Sequence, residues 1–177
     1  MSRRDKIEFG FIRFVHETLY GLFVNPYDRL NAGGLKAGQK ALEVGCGPGF
    51  FTIPAAKIVG DEGFVYALDL NQFAVEHVQR KIERSGLKNV QVLCADAIRT
   101  GLPDESIDVA FLFSVIHAFP DVGEVMKEMH RVLKTDGILS IQSGWPEQKL
   151  LDAVTANGPF HLIEKNNRLY SFERVRG

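Results

Sequence analysis

The chain has 177 residues, of which 45% are apolar and 24% charged, and its net charge at neutral pH is −1. That size fits one domain with a substantial core, not two of ordinary size. The near-zero charge removes the global field that draws proteins to nucleic acid or anionic membranes, no apolar run reaches membrane-spanning length, and no signal-peptide core stands at the start.

Residues 3–22 place Ile7, Phe11, Phe14, Val15, Leu19 and Leu22 on one helical face. Asn25-Pro26 ends that helix, and a short second one is expected from Pro26 to Leu30, ahead of Gly33-Gly34. Strands near 40–45, 63–69, 90–95, 107–114 and 137–142 then alternate with helices near 49–59, 71–85 and 121–134. Asn71 and Asp121 suit the N-cap position, and Glu124 completes a capping-box pattern with Asp121. Ser85-Gly86 reads as a helix stop. Such alternation means a parallel sheet covered by helices on both faces. The alternation then breaks: a helix near 146–156 precedes two short strands, near 159–164 and 168–174, joined by a tight turn at Lys165-Asn166-Asn167-Arg168.

The densest chemistry lies in Glu43-Val44-Gly45-Cys46-Gly47-Pro48-Gly49, between the first strand and the next helix. Gly45 and Gly47 leave out a Cβ where it would strike a ligand and permit φ values closed to other residues. Gly49 lets the helix start close to the strand, and Pro48 has a fixed φ suited to that start. A dinucleotide turn would need its third glycine at position 50, which is Phe50. Glu43 would also repel a pyrophosphate but suits a cationic ligand. Asp69, about twenty residues past the turn, can accept hydrogen bonds from both hydroxyls of a ribose, or can cap the helix beyond Leu70. Asp96 follows the third strand, in a loop where an Asp also has ordinary turn uses.

The heptad resembles the first motif of class I S-adenosylmethionine-dependent methyltransferases, Glu/Asp-x-Gly-x-Gly-x-Gly. Gly101–Ala110 is similar to a Leu-Pro-Phe-Asp-x-Ser-Phe-Asp-x-Val block of the small-molecule members of that family. Glu128–Gly137 is similar to Glu-x-x-Arg-Val-Leu-Lys-Pro-Gly-Gly, with Thr135 and Asp136 as departures in an expected helix-to-strand turn. The resemblance runs from residue 35 to about 174. It implies an α/β, Rossmann-like, doubly wound seven-stranded sheet in the order 3-2-1-4-5-7-6, with an antiparallel C-terminal hairpin. It further implies an S-adenosylmethionine-binding domain over 35–177, with 1–34 left as a helical lid or cap.

On that resemblance Glu43, Gly45, Cys46, Gly47 and Gly49 surround the methionine part of S-adenosylmethionine. Asp69 with Leu70 takes the ribose, Asp96 with Ala97 the adenine, and Ser114 lines the way to the acceptor. His117, after the fourth strand, is a candidate general base or a wall of the pocket. Tyr27 and Trp145, with Phe14 and Tyr20, are candidates for the acceptor pocket, with ordinary core packing as the other reading. His16, His77, His130 and His161 show no metal-ligand spacing, so no metal is expected. Cys46 and Cys94 make no disulfide framework and no Cys-x-x-Cys pair, which fits a reducing, cytoplasmic setting.

Ser114-Val115-Ile116-His117 stands where a nucleic-acid methylase would carry Asn/Asp-Pro-Pro-Tyr, and there is no Pro-Cys pair for attack on cytosine. No tyrosine is followed four residues later by Lys, as in short-chain reductases, and no Gly-Lys-Ser/Thr marks a P-loop. The expectation is a methyltransferase for a small-molecule acceptor, without nucleic-acid or membrane partners and with a homodimer left open. A non-catalytic S-adenosylmethionine-binding protein and an NAD(P)-dependent oxidoreductase are the alternatives.

Overall fold

The computed structural model describes residues 24–156 and 158–175. The helical face expected over 3–22, and the greater part of the lid built on it, lie outside the described residues. The described chain runs α1 (Pro26–Ala32), β1 (Lys40–Val44), α2 (Thr52–Val59), β2 (Phe64–Asp69), α3 (Gln72–Ser85) and β3 (Val90–Cys94). It continues with β4 (Ile107–Phe113), a 3-10 turn (Ile116–Ala118), α4 (Val122–Val132), β5 (Leu133–Gln142), α5 (Glu147–Thr155), β6 (Phe160–Asn166) and β7 (Leu169–Arg174).

The seven strands form one sheet in the order β3-β2-β1-β4-β5-β7-β6, as expected from the sequence. The pairs from β3 to β5 are parallel, and β7 runs antiparallel to both β5 and β6. Strands β1 and β4 are central and largely buried on both faces, which is why their residues are apolar apart from Lys40, Glu43 and Asp108. Successive residues still serve opposite faces. Ala41, Val65, Val109 and Phe111 pack with α1 and α2, whereas Leu42, Ala110, Leu112 and Ile141 pack with α4 and α5.

The helix ends follow local chemistry. Asn71 Oδ1 accepts the Phe73 N–H at 2.9 Å, and Gly86 closes α3 at φ 67°. Asp121 accepts the Glu124 N–H at 3.2 Å, but the Glu124 carboxylate accepts from Lys127 at 2.6 Å. Only half of the expected capping box therefore forms. In the C-terminal hairpin the turn narrows to Asn167 and Arg168, with Asn167 at φ 55°, a region Asn tolerates.

Two boundaries differ from expectation. Helix α2 starts at Thr52 and not at 49, because Gly47 and Gly49 hold φ of 51° and 75°, which a right-handed helix cannot include. Pro48 thus belongs to the turn and does not start the helix. Strand β5 starts at Leu133 and not at 137: Leu133 pairs with Ile107 and Ile138 with Val109, so residues 134–137 bulge opposite Asp108. Thr135 and Asp136 sit in that bulge, not in a helix-to-strand turn. Asp108 holds the bulge in place, accepting from Lys134 Nζ at 2.6 Å and from the Lys40 N–H at 2.7 Å.

Buried Glu128 on α4 anchors the loop between β3 and β4. Its Oε1 accepts the Thr100 N–H and hydroxyl at 2.8 and 2.7 Å, and Arg131 donates to both of its carboxylate oxygens. The Arg131 hydrogen bonds, and those of Thr100 after them, outweigh burial and hold the Glu128 carboxyl at about 2. A carboxyl held below its usual 4.5 contributes stability that is complete above that value and fades as pH falls toward 2. Glu128→Gln should therefore lower stability at pH 7 by about 1.5–3 kcal/mol. In paired denaturant melts the deficit should narrow steadily below pH 4.5. A deficit independent of pH would show that the charge on Glu128 contributes nothing.

Candidate functional site

The C-terminal ends of β1, β2, β3 and β4 open onto a cavity of about 390 Å³, where ligands of open α/β sheets collect. It is lined by Glu43, Gly45, Cys46 and Gly47 from the β1 end, Asp69 and Leu70 from β2, and Asp96 and Ala97 from β3. Ser114 and His117 line it from beyond β4. Residues spread over 75 positions of sequence thus meet because four parallel strands end on one side of the sheet.

Gly49, Tyr27 and Trp145 do not line this cavity. A Cβ on Gly49 would lie 3.0 Å from Val78 Cγ2, so that glycine lets α3 approach the loop. Trp145 packs against the core on the α4 and α5 face, with Lys149 Nζ 4.0 Å from its ring centroid. Tyr27 lies in the first turn of α1, where its N–H serves the Asn25 cap. Tyr27 and Trp145, expected at the acceptor pocket, thus lie away from this cavity, whose apolar walls include Phe50, Phe113 and Phe119, with Val115. Phe50 directly follows the glycine heptad and Phe119 follows His117 by two residues, a proximity the sequence offered and that periodicity did not reveal.

The other two glycines of the heptad differ in what they face. A Cβ on Gly45 would come within 2.5 Å of Val115, while one on Gly47 would meet nothing within 4 Å. The Gly47 N–H donates to Asp69 Oδ2 at 2.8 Å, and the Asn71 N–H donates to Asp69 Oδ1 at 2.8 Å. One carboxylate thus joins the loop after β1 to the start of α3, and each of its oxygens retains a further lone pair.

Glu43 is 3% exposed. Thr52 donates its hydroxyl to Glu43 Oε2 at 2.5 Å. Burial pushes the Glu43 carboxyl up to about 8; the Asp69 charge adds to the rise, and the Thr52 bond and Lys81 oppose it. Burial also pushes the Cys46 thiol far up, reinforced by Glu43 and Asp69, so Cys46 is no nucleophile. Ser114 has φ 60° while its N–H donates to the Gln142 carbonyl at 2.9 Å, a left-handed conformation that a non-glycine residue adopts at some cost. His117 stands exposed on the 3-10 turn, and Leu70 projects from the rim, 71% exposed.

A family model described as a methyltransferase domain matches residues 35–176. The chain belongs to that family. The demethylmenaquinone methyltransferase of Geobacillus stearothermophilus is 37% identical over 111 residues, 63% of this chain and 47% of that protein. The enzyme of the same name from Lactobacillus johnsonii is 39% identical over 108 residues, 60% of this chain and 44% of its own length. The matched stretch thus spans less than half of either relative. A crystal structure of an S-adenosylmethionine-dependent methyltransferase from Aquifex aeolicus superposes with a TM-score of 0.75 at 24% identity, covering 94% of this chain and 96% of that one. This likeness is one of fold, and it agrees with the strand order. S-adenosylmethionine is the cofactor of this methyltransferase domain. No helix among the described residues is long and apolar enough to cross a membrane.

Glu43 gives the site a stability signature of its own. A carboxyl raised above its usual 4.5 binds a proton more tightly folded than unfolded, so the wild type loses stability as pH climbs from there to about 8. Glu43→Gln keeps an acceptor for Thr52 and removes the titration. Its melting temperature relative to wild type should rise across that window and level off above it. A difference that is flat with pH would mean that Glu43 is ionised throughout.

Proposed function

We propose that this methyltransferase domain moves the methyl group of S-adenosylmethionine to a small acceptor with a flat, largely apolar ring. One observation carries the reading: a single cavity joins three strand-end carboxylates, Glu43, Asp69 and Asp96, to a wall of phenylalanines. The carboxylates suit an ammonium, a ribose and an amino group, and the apolar wall suits the ring. The names of the Geobacillus and Lactobacillus relatives support a quinol as that ring.

S-adenosylmethionine supplies a methyl group already activated on a sulfonium, so the protein has to bind, align and exclude water. Glu43, having lost its proton to solvent, would hold the ammonium, and the backbone of Gly45, Cys46 and Gly47 would lie against the methionine part. The open space before the missing Gly47 Cβ fits such an approach. Asp69 accepts the ribose hydroxyls on its remaining lone pairs, with Leu70 covering the sugar. Asp96 accepts the adenine amino group, and the Ala97 N–H reaches the ring. Phe50, Phe113 and Phe119 keep water out and offer aromatic faces to positive charge. Ser114 lines the path of the acceptor, and His117 takes up the proton that the acceptor gives up as it gains the methyl group.

A thermal-shift screen tests the cofactor half of the reading. S-adenosylhomocysteine should raise the melting temperature through binding to the native state, and NAD and NADP should not. A shift with NAD alone would overturn the assignment. Turnover of a short-chain demethylnaphthoquinol, followed by mass spectrometry, tests the acceptor half; methylation of catechol but of no naphthoquinol would point to a different ring. His117→Ala should lower kcat by roughly 10²–10⁴ with unchanged S-adenosylhomocysteine affinity. Undiminished turnover in that variant would make His117 a wall only.

A further inference from the structure

The glycine loop is held from two sides, by β2 and by α3. On the β2 side Asp69 takes the Gly47 N–H. On the other side Lys81, one turn beyond Val78 on α3, donates from Nζ to the Pro48 carbonyl at 3.0 Å. Val78 is the residue against which Gly49 packs, so α3 touches the loop through an apolar contact and a charged hydrogen bond together. Lys81 is half-buried, which strengthens a charge-assisted bond relative to one in water.

The same ammonium acts on Glu43. The groups that bear on Glu43 are Thr52 on α2, Asp69 at the end of β2 and Lys81 on α3, with Cys46 in the loop itself. Beside it in the sheet, β2 places Ala67 and β4 places Phe111, neither of them ionisable. Lys81 is the one cation in that set. It counters the charge of Asp69 and favours the ionised form of Glu43.

We propose that Lys81 is a positioning residue for the cofactor, fixing the curve of the glycine loop through the Pro48 carbonyl and keeping Glu43 able to ionise when a cationic ligand arrives. The inference rests on the cofactor reading given above. It adds a residue that never meets the ligand yet decides how the loop and its buried carboxylate receive it. Met at 81 would leave the loop its apolar contact with Val78 without the charged hydrogen bond, and would remove the cation that opposes Asp69 at Glu43.

The test is calorimetric titration of the full chain with S-adenosylhomocysteine between pH 6 and 8.5, on wild type, Lys81→Met, Lys81→Gln and Lys81→Arg, with a melt of each. Wild-type affinity should rise with pH as Glu43 loses its proton. Lys81→Met should melt cooperatively, bind roughly tenfold more weakly at pH 7, and show its rise in affinity displaced to higher pH. Lys81→Gln, which keeps a donor without the charge, should show the same displacement and covers the case in which the Met variant does not fold. Lys81→Arg should restore both the affinity and the profile. Equal affinity and an unmoved profile in both neutral variants would overturn the inference. So would a loss of affinity that is uniform with pH, since that is the mark of a mere structural prop. No binding by the wild type would instead overturn the cofactor reading.

Discussion

Glu43 is a carboxylate placed where its charge is hard to keep, and much of the site is organised around it. It is the penultimate residue of the central strand β1, with β2 and β4 on either side and almost no solvent. Burial favours its neutral form, and one hydroxyl, from Thr52 at the start of α2, satisfies part of its hydrogen-bonding capacity. A second carboxylate, Asp69, pushes it further in the same direction, while Lys81 pulls it back. A cation entering the cavity would shift that balance toward ionisation. Glu43 is thus a cost to the fold that a cation in the cavity would offset.

The geometry that makes this possible comes from the sheet. A parallel strand buried on both faces brings its C-terminal end to the same side as its neighbours, so the loops after β1, β2, β3 and β4 converge, with the Gly45 and Cys46 N–H groups donating to the Leu68 carbonyl and Ala95 to that of Asp69. Side chains along those loops then fix details that the strands do not. Asp69 clasps the Gly47 N–H and the Asn71 N–H, and Glu128, from the opposite helical layer, clasps Thr100 just past the Asp96 turn. The first sets where the glycine loop lies relative to α3. The second sets where the third strand-end loop lies relative to α4. Both are carboxylates, yet environment drives their like in opposite directions: Glu128 is hydrogen-bonded by Arg131 and held ionised, while Glu43 has one neutral donor and is driven toward its protonated form.

Much of the architecture was legible in the sequence because its signals are local. Apolar runs bounded by glycine, Asn71 and Asp121 ahead of helical patterns, and a polar turn between two short strands are each decided by neighbouring residues. The errors lie where a distant partner overrides the local pattern. Gly47 and Gly49 take positive φ within a turn that meets Asp69 and α3, which delays α2 by three residues. The run after α4 joins the sheet early because Leu133 finds Ile107, and Asp108 holds the resulting bulge between Lys134 and Lys40. Glu124 was expected to turn back on Asp121 but finds Lys127 instead.

The sequence by itself determined the strand order, through its resemblance, and the set of polar residues at the strand ends, since a glycine heptad and acids at fixed distances are properties of the chain. Tertiary structure decided what those residues face. It turned Gly49 toward Val78 and away from the cavity, set Trp145 against the core under Lys149, left Tyr27 on α1, and made Phe50, Phe113 and Phe119 the apolar wall. It also raised Glu43, an ordinary acid in the sequence, to a carboxyl near 8. The reason is physical. Backbone preference and periodicity act over a few residues, whereas side-chain direction, burial and the sum of nearby charges exist only once segments far apart in the chain have packed together.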